Sequence, residues 1–136
     1  MKALFKTISI STKNRAQLID ITGQVENFVK DAQVKNGICL VFGLHSTTAI
    51  VINENERGLA SDILRKVSEE FPHGAGWNHD RIDDNADAHL ASAFIGPSKV
   101  LPIKDSSLVR GTWQNIFLLE LDGPRTRNVT IEVLGE

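Results

Sequence analysis

At 136 residues the chain has the size of one ordinary domain, long enough to bury one core and too short for two. With 41% hydrophobic and 24% charged residues and a net charge of -2, it offers no electrostatic reason to expect nucleic acid or an anionic membrane as partner, so any anion must be held by a local cluster. The start, Met1-Lys-Ala-Leu-Phe-Lys-Thr-Ile, has no long apolar stretch and no cleavage pattern, and the lone Cys39 cannot form an internal disulfide; both suit a cytoplasmic protein without a membrane span.

Strand signals dominate from the outset. Leu4 to Ile10 alternates, with Leu4, Lys6, Ile8 and Ile10 on one face and Phe5, Thr7 and Ser9 on the other. Gln17 to Ile21 is a second strand. Thr22 is the expected N-cap of a first helix, in which Val25, Phe28, Val29 and Ala32 recur at helical spacing until Asn36-Gly37 stops it. Ile38 to Gly43 and Thr48 to Ile52 are strands dense in branched residues, the second ended by Glu54-Asn55-Glu56. Leu59, Ile63, Leu64, Val67 and Phe71 then form one helical stripe that Pro72 terminates. A long polar loop over His73 to His89 follows. Leu90 to Ile95, Lys99 to Ile103, Gln114 to Leu121 and Val129 to Leu134 read as strands, separated by turns at Gly96-Pro97, Lys104 to Ser107 and Asp122-Gly123-Pro124. The pattern predicts a single α+β domain over 1–136, an antiparallel β-sandwich of about eight strands with two helices packed on one side.

The loop concentrates the chemistry: three of the four histidines lie in it with several carboxylates, and a loop this long in a compact domain is usually functional or disordered. His45, His79 and His89 are the candidate metal ligands, since three imidazoles and one open position make a known zinc arrangement. Asp80 and Asp87 are near enough in sequence to orient the rings, and Glu54 stands at a strand end. His73 beside Pro72 reads as solvated, and Cys39 as a buried small hydrophobe. Ser46-Thr47-Thr48 offers hydroxyls suited to phosphate or a metal-bound anion. Gly111-Thr112-Trp113-Gln114 places an amide and a hydroxyl beside a large ring at a strand start, with Thr112 and Gln114 as handles of a pocket rim and Trp113 in core or interface packing. Arg125 and Arg127 after the Asp122-Gly123-Pro124 turn can grip phosphate. A Ser46–His45–Glu54 triad is rejected, because adjacent strand residues face opposite ways. Dinucleotide, P-loop, nucleophile-elbow and H-E-x-x-H motifs are all missing.

In order along the chain, His45-Ser46-Thr47-Thr48-Ala49, Ile52-Asn53-Glu54-Asn55, Trp77-Asn78-His79, Asn85-Ala-Asp87-Ala-His89-Leu90, Gly96-Pro97-Ser98, Gly111-Thr112-Trp113-Gln114 and Asp122-Gly123-Pro124-Arg125 resemble the YjbQ family, the secondary thiamine-phosphate synthase-like proteins. The resemblance implies a β-rich sandwich, a homotrimer with the histidine cluster near subunit contacts, and a weak ability to join a pyrimidine diphosphate to a thiazole phosphate. Carried onto this chain, it implies metal ligation by His45, His79 and His89, with zinc or magnesium as the divalent ion. Catalytic roles fall to Glu54, Asp87 and Gln114, and binding of a small phosphorylated substrate to Ser46, Thr47, Asn85, Thr112 and Arg125. Leu44, Ser46, Trp77 and Arg110 depart from the family pattern, and Arg110 adds charge beside the tetrad. A zinc-dependent hydrolase, with Glu54 or Asp87 as base, and a non-catalytic trimeric binding module for a phosphorylated metabolite are the alternatives.

Overall fold

A computed structural model describes residues 1–136. Two antiparallel sheets carry the fold. The larger takes β1 (Lys2–Ser11), β8 (Thr126–Gly135), β3 (Gly37–Gly43), β5 (Ser98–Lys104) and the two-residue β6 (Ser107–Leu108), in that spatial order. The smaller has β7 (Asn115–Glu120) between β2 (Gln17–Asp20) and β4 (Thr48–Asn53). The helices are α1 (Thr22–Ala32), α2 (Arg57–Glu70) and α3 (Ala86–Ile95), with a 3₁₀ turn over Asn78–Arg81.

The α+β sandwich is as the alternation predicts, and the strand count of eight is kept by different members. Leu90 to Ile95 is not a strand but the end of α3. A short apolar run cannot distinguish a buried strand from a buried helix by period, and here Ala86, Ala88, Ala91 and Ala93 supply strong helix formers. The lost strand is replaced by β6. The helices number three rather than two and do not share one side. Val25, Val29 and Ala32 of α1 join the main core between the sheets with Cys39, Val41, Ile50, Ile116, Leu118, Ile131 and Val133. Ala88 and Ala91 of α3 pack with Ala49, Leu119 and Leu121, flanked by Leu64 and Val67 of α2, on the far face of the smaller sheet.

Local details explain the boundaries. Thr22 is not the cap: Asp20 Oδ1 accepts its N–H and its hydroxyl, while Thr22 Oγ1 takes the N–H of Ile116 and ties the helix start to β7. The helix stops at Gln33, in the left-handed conformation at φ 53°, before Asn36-Gly37 is reached. Gly37 instead opens β3, where a side chain would collide with the Leu134 carbonyl oxygen. Glu56, which ends the strand segment, caps α2 by accepting the N–H groups of Gly58 and Leu59. Cys39 is fully buried, and burial pushes its thiol up to about 11, as befits a core residue.

Candidate functional site: a polar and an apolar cavity meeting at His89

The ends of the smaller sheet separate the candidate residues. In the β4–β7 register Thr48 faces Glu120 at one end, and Asn53 faces Asn115 at the other. At about 3.3 Å per residue these ends lie about 17 Å apart. His45, Ser46 and Thr47 run into the first end, whereas Glu54 and Thr112 to Gln114 belong to the second. Glu54 and Gln114, expected as catalytic, and Thr112, expected to bind substrate, therefore lie at the opposite end of the smaller sheet from the histidines within one chain. Gln114 closes its own turn, its Oε1 accepting the N–H of Gly111 at 2.7 Å. Arg110 binds there too, donating to Glu26 Oε1 of α1 and to Gln114 O, so its charge is neutralised by a neighbouring helix. Trp113 is 69% exposed and contributes nothing to the chain's own core.

At the first end, His45, Ser46, Thr47, Asn85, His89 and Arg125 line one polar cavity of about 380 Å³, completed by Leu44, Asp83, Asp122 and Arg127. Next to it, Trp77, Asn78, His79, Ala86, His89 and Leu90 line a more apolar cavity of about 340 Å³. His89 is common to both. The rings of His79 and His89 meet edge to face with centroids 4.7 Å apart.

The imidazoles are set by their partners. His45 Nε2 accepts the backbone N–H of Asn128 at 2.8 Å. Burial, then the charge of Arg127, holds its pKa below the ordinary value, so the ring is neutral with its proton on Nδ1. A neutral imidazole has one lone pair, and here it is already used. Asn85 Nδ2 donates to Asp122 Oδ2, which turns Asn85 Oδ1 toward His79 Nε2 at 3.1 Å and fixes that nitrogen as a donor. No three His, Cys, Asp or Glu side chains converge as a metal-binding group. The donors present do not fit the three-histidine ligand set of the sequence reading. The polar cavity sets the His45 ring, the Ser46 hydroxyl and Arg125 as hydrogen-bond donors beside the carboxylates of Asp83 and Asp122.

Beneath this wall lies a buried ionic core. Glu120, 0% exposed, receives Nε and Nη2 of Arg127, the Thr12 hydroxyl and the N–H groups of Leu121 and Asp122. Burial alone would raise its pKa, but these bonds outweigh it and leave the carboxylate below its ordinary range. Arg127 Nη2 also donates to Thr47 Oγ1 at 2.9 Å, and Leu121 N–H binds Thr47 O. The His45–Thr47 segment is thus clamped to β7 and β8 from both sides. Arg125, 55% exposed at its side chain, donates instead to Asp122.

Asp87 stands outside the cavity. Arg15 grips it in a fork, Nη1 to Oδ2 at 3.0 Å and Nη2 to Oδ1 at 3.1 Å, while His73 Nδ1 lies 3.2 Å from Oδ1. His73 Nε2 is 3.3 Å from Asp84. His73, read as solvated, is therefore half-exposed but engaged, and Asp87 serves to pin the loop rather than face the cavity. Three residues were under-read in the sequence. Glu120 looks like any strand-end acid, and Arg15 is remote in sequence. Arg127 differed from Arg125 only through strand alternation, which sends Arg127, Val129, Ile131 and Val133 inward.

The family model described as "UPF0047 protein YjbQ-like" matches residues 6–136. A UPF0047 protein of Archaeoglobus fulgidus is 48% identical over 93% of this chain and 98% of its own length, and the UPF0047 protein YugU of Bacillus subtilis is 36% identical over 97% and 100%. The crystal structure of a YbjQ-like protein of unknown function from Sulfolobus solfataricus superposes with a TM-score of 0.98 at 54% identity, covering 99% of each chain. The chain belongs to the YjbQ, or UPF0047, family. No helix is long and apolar enough to cross a membrane.

Proposed function

We propose that the protein binds a phosphorylated heterocycle across the two cavities and, in keeping with the family resemblance, acts as a weak thiamine-phosphate synthase-like transferase. The observation that carries this reading is the meeting at His89 of a donor-rich polar cavity and an apolar one walled by Trp77 and two imidazole rings. A phosphoryl or diphosphoryl group suits the first, and a flat ring the second.

In the reaction, the bond between the pyrimidine methylene carbon and the diphosphate oxygen breaks, and the oxygen keeps the electron pair. The thiazole nitrogen then gives its lone pair to the carbon, forming the new C–N bond. No proton need move. His45 Nδ1–H, Ser46 and Arg125 stabilise the departing charge, and the apolar cavity aligns the rings and excludes water. Since the imidazoles do not form a zinc trio within the chain, no step is assigned to a metal. Association as a homotrimer is part of the same proposal. Phe5, Ile38, Phe42 and Val100 on the outer face of the larger sheet and Trp113 at the far end of the smaller one are exposed apolar groups that subunit contact would cover.

Thiamine phosphate formation by the wild type, His45→Ala and His89→Ala proteins tests the reading. It expects measurable turnover that falls about 10-fold or more in each variant; undiminished turnover in both removes the site from that chemistry. Sedimentation at three chain masses tests the assembly, and a monomer at micromolar concentration contradicts it.

A further inference from the structure

Arg127 has a feature that the proposed reaction does not use. Its side chain is only 4% exposed, and that of its partner Glu120 is 0% exposed. Nε donates to Glu120 Oε1 at 2.8 Å, and Nη2 serves Glu120 Oε2 and Thr47 Oγ1. Nη1 makes no hydrogen bond to the protein, and it is not among the wholly enclosed polar atoms without a partner, of which Thr48 Oγ1 is the sole case. Arg127 also lines the polar cavity. A guanidinium buried to this degree ordinarily satisfies all its donors. The nitrogen left over here is the one that can reach the cavity.

We propose that Arg127, through Nη1, is the specificity-determining anchor of the polar cavity and holds an oxygen of the phosphoryl or diphosphoryl group; this rests on the phosphate reading given above. Two properties set it apart from Arg125. Its position is fixed, because Glu120 has five donors and cannot release the guanidinium without orphaning a buried charge. Its charge is already matched by Glu120, so it selects by the direction of two N–H bonds rather than by net attraction. Arg125, at the solvent-facing rim, supplies a screened charge. The neighbouring residue carries the design further: Asn128 N–H locks His45 Nε2, which leaves Nδ1–H as a second fixed donor. The cavity thereby holds two donors that need no reorganisation to meet an anion.

The experiment is a titration of the full-length protein with inorganic pyrophosphate and with inorganic phosphate. The guanidinium resonances of Arg127 are followed by ¹⁵N NMR in the wild type, and affinity is measured by calorimetry in the wild type and Arg127→Lys. The expected result is a saturable shift of the Arg127 resonances and an affinity about 10- to 100-fold weaker in Arg127→Lys, the range of a hydrogen bond to a charged group. Wild-type binding with Arg127 resonances unmoved overturns the inference and leaves the phosphate reading intact, as does unchanged affinity in Arg127→Lys. Should that variant fail to unfold cooperatively on heating, the wild-type resonances alone decide. If neither anion binds the wild type, the phosphate reading falls and takes this inference with it.

Discussion

Two arginine–carboxylate assemblies flank the candidate site, and they are built on opposite principles. Glu120 and Arg127 are sealed in, with side-chain exposures of 0% and 4%. Asp87, at the buried start of α3, is held by the more exposed Arg15 and His73, with side-chain exposures of 10%, 41% and 47%. In the first, low dielectric makes every partner obligatory, and the geometry is held rigid. In the second, water can replace partners, and the contact responds to pH. The sealed pair builds the wall of the polar cavity; the open one pins the loop that carries His79 and Asn85.

The largest effect should come from breaking the sealed pair. Glu120→Ala is expected to cost about 3–5 kcal/mol in a denaturant titration, because it leaves Arg127 charged and buried; a cost below about 1 kcal/mol would show that the pair is not sealed. Arg15→Gln should cost less, about 1–2 kcal/mol, since Asp87 keeps its contact with His73 and gains access to water. A cost equal to that of Glu120→Ala would erase the contrast.

The pH response sharpens the difference. The hydrogen bond to Asp87 is the main cause that raises the His73 pKa above its ordinary 6.5. Its contribution is fully present below pH 6.5 and is lost as pH rises through the elevated folded value. When protonated, Nδ1–H donates to Asp87; when neutral with the proton on Nε2, Nδ1 can only accept, and Arg15 Nη2 lies 3.2 Å away. For Asp87, burial raises the pKa but the bonds from Arg15 and His73 prevail, so its contribution is present above its ordinary 3.8 and lost as pH falls through the lower folded value. Amide exchange over residues 73–85, corrected for the intrinsic pH dependence, should therefore quicken as pH rises above 6.5 through the elevated His73 value while that of Leu121 and Asp122 stays constant. Equal acceleration in both regions would count against the account. Asp84→Asn, at a carboxylate 79% exposed, should change stability by less than about 0.5 kcal/mol.

The same contrast explains what the sequence made legible. Residues whose role follows from a local period were readable, as with the inward strand positions and the α2 stripe, and side-chain chemistry together with the family resemblance picked out His45, Ser46, Thr47, Asn85, His89 and Arg125, which do line one cavity. Residues whose role depends on distant partners were not. Asp87 meets Arg15 across 72 positions, and His45 is oriented by a backbone group 83 positions away. The alanine-rich start of α3 was hidden because its apolar run is short and nearly uniform, which favours neither period. Glu54 and the Gly111–Gln114 tetrad looked like site residues by residue type and by family order, neither of which carries distance, and the β4–β7 register places them at the other end of the sheet.

The most direct test of the central claim is ³¹P NMR of pyrophosphate titrated with the wild type and with His45→Ala. The account predicts a saturable shift of the phosphorus resonance with the wild type that is strongly weakened in the variant. No shift with the wild type, or an identical titration with His45→Ala, would contradict it.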